Sequence, residues 1–449
     1  MNYENKNVLV CGMAKSGIAA AELLCHLGAN VTLQDMKQHD AIADCDALEA
    51  KGITLYLGQN PDDIACGQDL IVLSPGIPCD LPFILAAEAA NVPVISEVEL
   101  ASTMTQCPIT AITGTNGKTT TTTLVGQLME EKYTNTAVVG NIGVSYSGKV
   151  EELTENDWVV AEISSFQMEK AKTFHPHISA VLNISPDHLN RHKTMEVYIE
   201  MKEKVFQNQV ESDFCILNYG DEECRKMEKK TKAKVFWFSS SEVLEEGIYL
   251  DGDDIVVSWS GKTEVVLSVK EVQVLGVHNY ENVMAAVAMA MVAHVDMETI
   301  RKVLRKFSGV EHRIEYVATK NGVAYYNDSK GTNTDASIRA VLAMDRPIVL
   351  IGGGYDKGVS FDDWTKLFAG RVKKLVLIGA TANQIAESAA KFGFTNTNIC
   401  ETFAEAVELC KNSAKEGDCV LLSPACASWG MFDNYEQRGD MFKELVRNF

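Results

Sequence analysis

Thr113-Gly114-Thr115-Asn116-Gly117-Lys118-Thr119-Thr120 follows a short β-branched, apolar run, Pro108-Ile109-Thr110-Ala111-Ile112, that reads as a buried strand. Behind it, Thr121 to Glu131 carry apolar residues spaced for a helix. Strand, glycine-bearing turn, lysine, hydroxyl and helix is the layout of a phosphate-binding loop. Glycines let backbone N–H groups curl around phosphate oxygens, and the helix N-terminus adds the positive end of its dipole. Lys118 is placed to reach the β- and γ-phosphates, and the Thr119 hydroxyl to ligate Mg²⁺. The full Gly-x-x-x-x-Gly-Lys-Ser/Thr spacing asks for glycine at 112, where this chain has Ile112. The loop is therefore a variant, and its strand–turn–helix setting carries the reading of nucleotide phosphate binding over that of a plain surface turn.

The surrounding chain bounds what the loop can serve. At 449 residues it is too long for one core, so two to four domains are expected. An apolar fraction of 46% and a charged fraction of 23% are ordinary for a soluble globular protein. A formal net charge of −20 argues against broad nucleic-acid binding, though a local basic cluster can still hold an anion in a cleft. The 12 cysteines form no CxxC pair and no zinc-type spacing, and several lie in apolar runs. A reducing cytoplasm is the expectation. The N-terminus shows no secretory signal, and no apolar run reaches membrane-spanning length.

Upstream, Asn7 to Cys11 is a strand, Gly12-Met13-Ala14-Lys15-Ser16-Gly17 opens a helix to Leu27, and Val31 to Asp35 is a strand ending in an acid. This is similar to a Rossmann dinucleotide start, with Ala14 where the middle glycine of Gly-x-Gly-x-x-Gly belongs. That glycine admits the closest approach of a pyrophosphate, so NAD is disfavoured against a nucleotide diphosphate held in another way. Asp69 to Leu73 is a further strand, ending in the rigid turn Ser74-Pro75-Gly76-Ile77-Pro78 where open α/β sheets bind ligands.

Downstream, Asp157 to Glu162 is an apolar strand ending in a carboxylate, where a second magnesium-holding group is needed beside a phosphate loop. Asn183-Ile184-Ser185-Pro186-Asp187-His188-Leu189-Asn190-Arg191-His192 again follows an apolar strand. His188 is either a packed loop histidine or a metal ligand. Residues 194 to 208 are expected to form a helix with Tyr198, Lys202 and Phe206 on one face. Desolvation there would lower the lysine pKa. Short strands from Gly247 to Val269 read as an antiparallel appendage, and the Ala/Met-rich helix running to His294 as core packing. A hairpin turned by Lys320-Asn321-Gly322 follows. Strands at Pro347 to Ile351, Lys374 to Ile378 and Cys419 to Leu422 then alternate with helices as a second Rossmann-like sheet.

Gly114 to Thr120, with Ile163-Ser164-Ser165-Phe166-Gln167 and Asn183 to His192, resembles the Mur ligase family, ATP-dependent amino-acid-adding enzymes of bacterial cell-wall synthesis. The motifs spread over essentially the whole chain. The resemblance implies an α/β protein of three domains. They are a Rossmann-like UDP-sugar domain at 1–98, a central P-loop-type mononucleotide-binding domain at 99–310 and a Rossmann-like amino-acid domain at 311–449. It places Gly12, Ala14, Lys15, Ser16, Asp35, Lys37, Ser74 and Gly76 near the UDP, and Asn141, Ser164 and His188 along the sugar substrate. ATP would meet Gly114, Thr115, Asn116, Gly117, Lys118, Thr119 and Thr120, with Asn282 at the adenine and Arg313 and Asp328 also on the nucleotide. Two Mg²⁺ ions are implied, one on Thr119 and Glu162, the other on Glu162, His188 and a carbamylated Lys202. Lys118, Glu162, His188 and Lys202 form the implied catalytic set.

Within the family, Asp328-Ser329-Lys330-Gly331-Thr332-Asn333 with Ser423-Pro424-Ala425-Cys426-Ala427-Ser428 resembles the branch that adds D-glutamate to UDP-N-acetylmuramoyl-L-alanine. Thr332 and Lys357 would take the side-chain carboxylate, and Ser428 with backbone groups reaching to Tyr435 the α-carboxylate. Lys330 serves the pocket, the phosphate transfer or the orientation of the sugar. Trp429 and Met431 depart from the pattern and leave the shape of the pocket open. A monomer acting on small molecules, without nucleic acid or membrane, is expected. Folylpolyglutamate-type ligases, nucleotide switches and dehydrogenases are the rival classes.

Overall fold

The protein, represented by a computed structural model, is described at every residue except 1, 43, 44 and 357. Its strands form three sheets. The first holds β1 (Asn7–Cys11), β2 (Asn30–Asp35), β3 (Thr54–Leu57), β4 (Leu70–Leu73) and β5 (Val94–Ser96) in the order β3-β2-β1-β4-β5, all parallel. The strand order reverses between β1 and β4, so the turns after these two strands stand side by side at the carboxyl edge, the place where such sheets bind ligands. Val8, Leu9, Val10 and Cys11 are fully buried, as expected for a parallel strand covered on both faces.

The central sheet contains β6 (Ile109–Thr113), β7 (Thr136–Gly140), β8 (Trp158–Glu162), β9 (Ile178–Val181), β10 (Phe214–Asn218) and β11 (Lys234–Ser239), extended by β12 (Gly247–Asp251), β13 (Asp254–Trp259) and β14 (Lys262–Ser268). Its order is β14-β13-β12-β11-β10-β9-β6-β8-β7. Strand β6 therefore lies between β8 and β9, with Ile112 opposite Glu162 and Thr113 opposite Val181. The expected appendage is real: β12, β13 and β14 pair antiparallel at the sheet edge. There Arg301, from the helix Met297–Lys306, donates Nη2 to the Val265 carbonyl (2.6 Å) and Nε to the Val266 carbonyl (2.8 Å).

The third sheet holds β15 (Glu315–Lys320), β16 (Val323–Asn327), β17 (Ile348–Gly353), β18 (Val372–Ile378), β19 (Thr397–Ile399) and β20 (Cys419–Leu422), ordered β15-β16-β20-β17-β18-β19. Only β15 runs antiparallel, and its hairpin to β16 turns through Asn321 (φ 52°) and Gly322 (φ 74°), both left-handed as an Asn-Gly hairpin turn requires. By contacts the chain divides into two compact units, Met1–Ser268 with Glu281–Val303, and Val269–Tyr280 with Leu304–Phe449. Among the described residues no helix is long and apolar enough to cross a membrane.

One element is shorter than its pattern suggests. The helix bearing Tyr198 and Lys202 runs Met195–Glu203, not to 208. Beyond it, Lys204 donates its ammonium to the carbonyls of Met168 and Glu169, both at 3.1 Å, and Phe206 packs into the core from a turn.

Candidate active site

The loop after β6 is held in shape by the end of β9. Thr115 N donates to the Asn183 carbonyl and Asn116 N to Asn183 Oδ1, both at 2.9 Å, while Asn183 Nδ2 returns a bond to the Asn116 carbonyl at 3.1 Å. Ser185 N donates to Thr115 Oγ1 (3.0 Å), which in turn donates to the Ser185 carbonyl (3.1 Å) and shares a hydrogen bond with the Tyr198 hydroxyl (3.1 Å). Gly117 is the N-cap of the helix Lys118–Glu130, with φ 85°. A Cβ at this position would collide with Asn282 Oδ1, so Asn282 lies directly against the loop. Lys118 Nζ donates to the carbonyls of Gly114 and Thr115, each at 2.9 Å. Thr119 and Thr120 are buried in the first helical turn.

Glu162, at the end of β8, is 2% exposed. Its Oε1 accepts from Asn141 Nδ2 at 2.8 Å, whereas buried Oε2 has no hydrogen-bond partner. A buried carboxylate oxygen left unpaired is costly, and a divalent cation is one partner that would satisfy it. Lys202 lies 2% exposed under the same loop, donating to the Gly114 carbonyl at 2.8 Å with its Nζ 4.6 Å from the Tyr198 ring centroid. Burial, then the nearby Lys118 ammonium, holds its pKa well below the usual lysine range. Burial thus disfavours the ammonium, and the neutral amine is the form that adds CO₂.

His188 adopts φ 53° as the N-cap of the short helix Leu189–His192. Burial, with Lys118 and Lys202 as further causes, holds its imidazole below the usual range, in the neutral form a metal requires. An unpaired carboxylate oxygen, a neutral imidazole, a deprotonatable amine and a helix-start hydroxyl are a donor set that fits Mg²⁺ if the amine carries an added carboxylate.

In the first sheet, Asp35 shapes the turn after β1. Its Oδ2 accepts from Met13 N (2.8 Å) and its Oδ1 from Lys37 N (2.9 Å). Ser74 Oγ donates to the Gly12 carbonyl at 3.1 Å, joining the two switch-point turns. Gly12 has φ 95°, and Ala14 is the N-cap of the helix Lys15–His26, whose first residues are Lys15 and Ser16. Ser164 is committed to a capping box with Gln167: its Oγ accepts from Gln167 N, and Gln167 Oε1 accepts from Ser164 N. That local role was readable from the Ser-x-x-Gln spacing.

In the second unit, the loops after β16, β20 and β17 are neighbours because these strands are adjacent. Asp328 is buried and accepts from Ser423 Oγ (2.6 Å) and Ile314 N (3.3 Å), and burial raises its pKa to about 7. The Lys330 ammonium lies 5.2 Å from the Tyr435 ring centroid. Ser428 is buried, Thr332 and Arg313 are half-buried in the same unit, and Lys357 lies outside the described residues.

Arg438, to which the sequence reading gave no role, is fully buried here. Its Nε donates to Ser329 Oγ (2.9 Å), and Nη2 to the carbonyls of Ser329 (2.7 Å) and Cys426 (3.2 Å). Asn183 and Tyr198 were likewise seen in motifs without a function. The signal available for Asn183 was an amide side chain directly at a strand end.

Comparisons with known proteins agree with this layout. Residues 6–96 match the Mur ligase MurD-like N-terminal domain, 112–290 the Mur ligase middle domain, and 312–426 the Mur ligase glutamate ligase domain. The UDP-N-acetylmuramoylalanine–D-glutamate ligase of Lachnoclostridium phytofermentans is 50% identical over 450 residues, 99% of both chains. The protein of that name from Clostridioides difficile is 45% identical over 451 residues, all of both chains. Among solved structures, the UDP-N-acetylmuramate-alanine ligase of Thermotoga maritima shares the fold with TM-score 0.61 at 18% identity, covering 99% of this chain and 100% of that one.

Proposed function

The chain belongs to the Mur ligase family, and we infer that it joins D-glutamate to UDP-N-acetylmuramoyl-L-alanine at the expense of ATP. It is an amide-forming ligase of peptidoglycan precursor synthesis. The observation that carries the reading is the loop Gly114–Thr120 beside the unpaired oxygen of Glu162, in a chain matched end to end by relatives bearing that name. Twelve free cysteines support placing it in the cytoplasm.

A carboxylate is a poor acylating agent because oxide will not leave. The family solution is for the alanine carboxylate to attack the γ-phosphate of ATP, giving an acyl phosphate. The D-glutamate amine then attacks that carbonyl, and inorganic phosphate leaves. Phosphoryl transfer is catalysed by positioning and charge neutralisation. We assign Lys118 and the loop amides to the phosphates, and Asn282 to the adenine end. Arg313 and Asp328 are also assigned to the nucleotide. We assign Thr119 and Glu162 to one Mg²⁺, and Glu162, His188 and Lys202 as its carbamate to a second. When bound, the ions neutralise the phosphates and the attacking carboxylate.

The turns Gly12–Ser16, Asp35–Lys37 and Ser74–Gly76 are assigned to the UDP, and Asn141, Ser164 and His188 to the sugar and its peptide. For the incoming amino acid we assign Thr332, Lys357, Ser428 and Tyr435, with Lys330 at the pocket or at the phosphate. Two carboxylates gripped in a fixed sense leave the amine facing the acyl phosphate for one enantiomer. Donors left unpaired by other amino acids reject them by several kcal/mol (about 5 to 7 for a lost polar partner).

The test is ATP-dependent phosphate release with UDP-N-acetylmuramoyl-L-alanine and a panel of amines. D-glutamate is expected to exceed L-glutamate, L-lysine and meso-diaminopimelate. Preference for another amine overturns the substrate, and no turnover with any amine overturns the mechanism.

A further inference from the structure

Arg191 stands three residues beyond His188, in the short helix Leu189–His192, and joins two sheets of the first unit. Its side chain is 16% exposed. Nε donates to Glu169 Oε1 at 3.0 Å and Nη2 to Glu169 Oε2 at 2.7 Å, a paired fork on one carboxylate. Nη2 also donates to the Ile77 carbonyl at 2.7 Å, and Nη1 to that of Gly76 at 3.4 Å. The guanidinium lies over the Phe166 ring, 4.9 Å from its centroid. Glu169 accepts a further bond from Cys79 Sγ at 2.9 Å. The pair thus grips the segment Gly76–Cys79, continuous with the turn after β4.

Ser74 and Gly76 belong to the turn assigned to the UDP-sugar, whereas His188 and the loop held by Asn183 belong to the phosphate machinery. One substrate must bridge the two, anchored by its UDP and reacting at its far carboxylate. A displacement of about 1 Å between anchor and reaction centre is enough to cost roughly 10²-fold in rate. Arg191 bonds the backbone on one side and adjoins His188 in sequence on the other. It touches neither the phosphate loop nor any residue assigned to ATP through the bonds just described.

We propose that Arg191, paired with Glu169, is a positioning residue that sets the register of the UDP-sugar turn against the His188 segment. The proposal rests on the ligase reading above. Lysine cannot reproduce it, because one ammonium cannot span a carboxylate and two carbonyls with the geometry of a planar fork.

The experiment uses the full chain carrying Arg191→Lys, Arg191→Met, Glu169→Gln, and Arg191→Met with Glu169→Gln together. Arg191→Lys and the double variant guard against a buried, unpaired Glu169 unfolding the protein. For each, phosphate release is measured against UDP-N-acetylmuramoyl-L-alanine and against ATP, with melting temperature alongside. Arg191→Met is expected to raise KM for the UDP-sugar at least tenfold and lower kcat about tenfold, with KM for ATP within twofold. Arg191→Lys should fall between it and wild type, and the double variant should be no worse than Arg191→Met. Unchanged UDP-sugar kinetics in Arg191→Met, or equal losses for both substrates that follow the melting temperature, overturn the positioning role while leaving the ligase reading intact. A wild-type protein inert with both substrates overturns that reading and this proposal with it.

Discussion

Gly117→Ala tests how tightly the phosphate loop is built. At φ 85° an alanine is strained by about 1–2 kcal/mol. Its Cβ would also fall on Asn282 Oδ1 and lie 3.3 Å from Leu182 Cδ1. Forcing packed neighbours apart costs about 1–3 kcal/mol more. The sum, about 2–5 kcal/mol, can be relieved only by moving Asn282 or the loop. Either movement misplaces groups assigned to ATP, and an error of about 1 Å costs on the order of 10²-fold in turnover. Gly117→Ala is therefore expected to lower the melting temperature by several degrees, lose most of the stabilisation that ATP gives, and release phosphate at least 10²-fold more slowly. Adding Asn282→Ala removes the collision but not the backbone strain. The double variant should melt higher than the sum of the two single effects, by the equivalent of about 1–3 kcal/mol. Scanning fluorimetry with and without ATP, and phosphate release, read both quantities. Strictly additive melting temperatures would show that Asn282 does not press on Gly117. Normal turnover in Gly117→Ala would refute the phosphate-loop assignment itself.

Two further outcomes are expected. Lys202→Ala should be nearly inactive and partly restored by short carboxylates that supply the missing oxygen ligands; full activity without them excludes a carbamate. Asp328 has its folded-state pKa raised to about 7, so the folded protein binds its proton more tightly than the unfolded chain does. Its contribution to stability is therefore present at low pH and lost as pH rises from about 4 to 7, an interval worth about 4 kcal/mol. Asp328→Asn should gain melting temperature relative to wild type between pH 4.5 and 8, and a pH-independent difference would refute the raised pKa.

The elements legible in the sequence were those whose signals are local. The loop Gly114–Thr120 announced itself by glycine, lysine and hydroxyl between a strand and a helix, and Asn321-Gly322 by turn chemistry. What escaped depends on which strands become neighbours. Asn183 shapes the loop because β9 lies beside β6, and no spacing along the chain contains that fact. Arg438 reaches Ser329 across 109 positions, and Arg191 reaches Ile77 across 114. Lys202 reads as an aromatic-face lysine in the sequence, but the Gly114 carbonyl that accepts its hydrogen bond is found only in the fold. Ser164 shows the converse: its capping box with Gln167 is local and legible from the Ser-x-x-Gln spacing alone.

Arg301 has a consequence for one exposed margin of the central sheet. Strand β14 is the outer margin of a nine-stranded sheet, and such a margin offers free carbonyls to any extended chain that drifts against it. The guanidinium occupies two of those acceptors in succession, at Val265 and Val266, and also bonds Glu264 at 3.0 Å. A foreign strand would have to displace it before adding to the ladder. The same side chain that fastens the helix Met297–Lys306 thus blunts this one edge of the sheet as a template for strand addition.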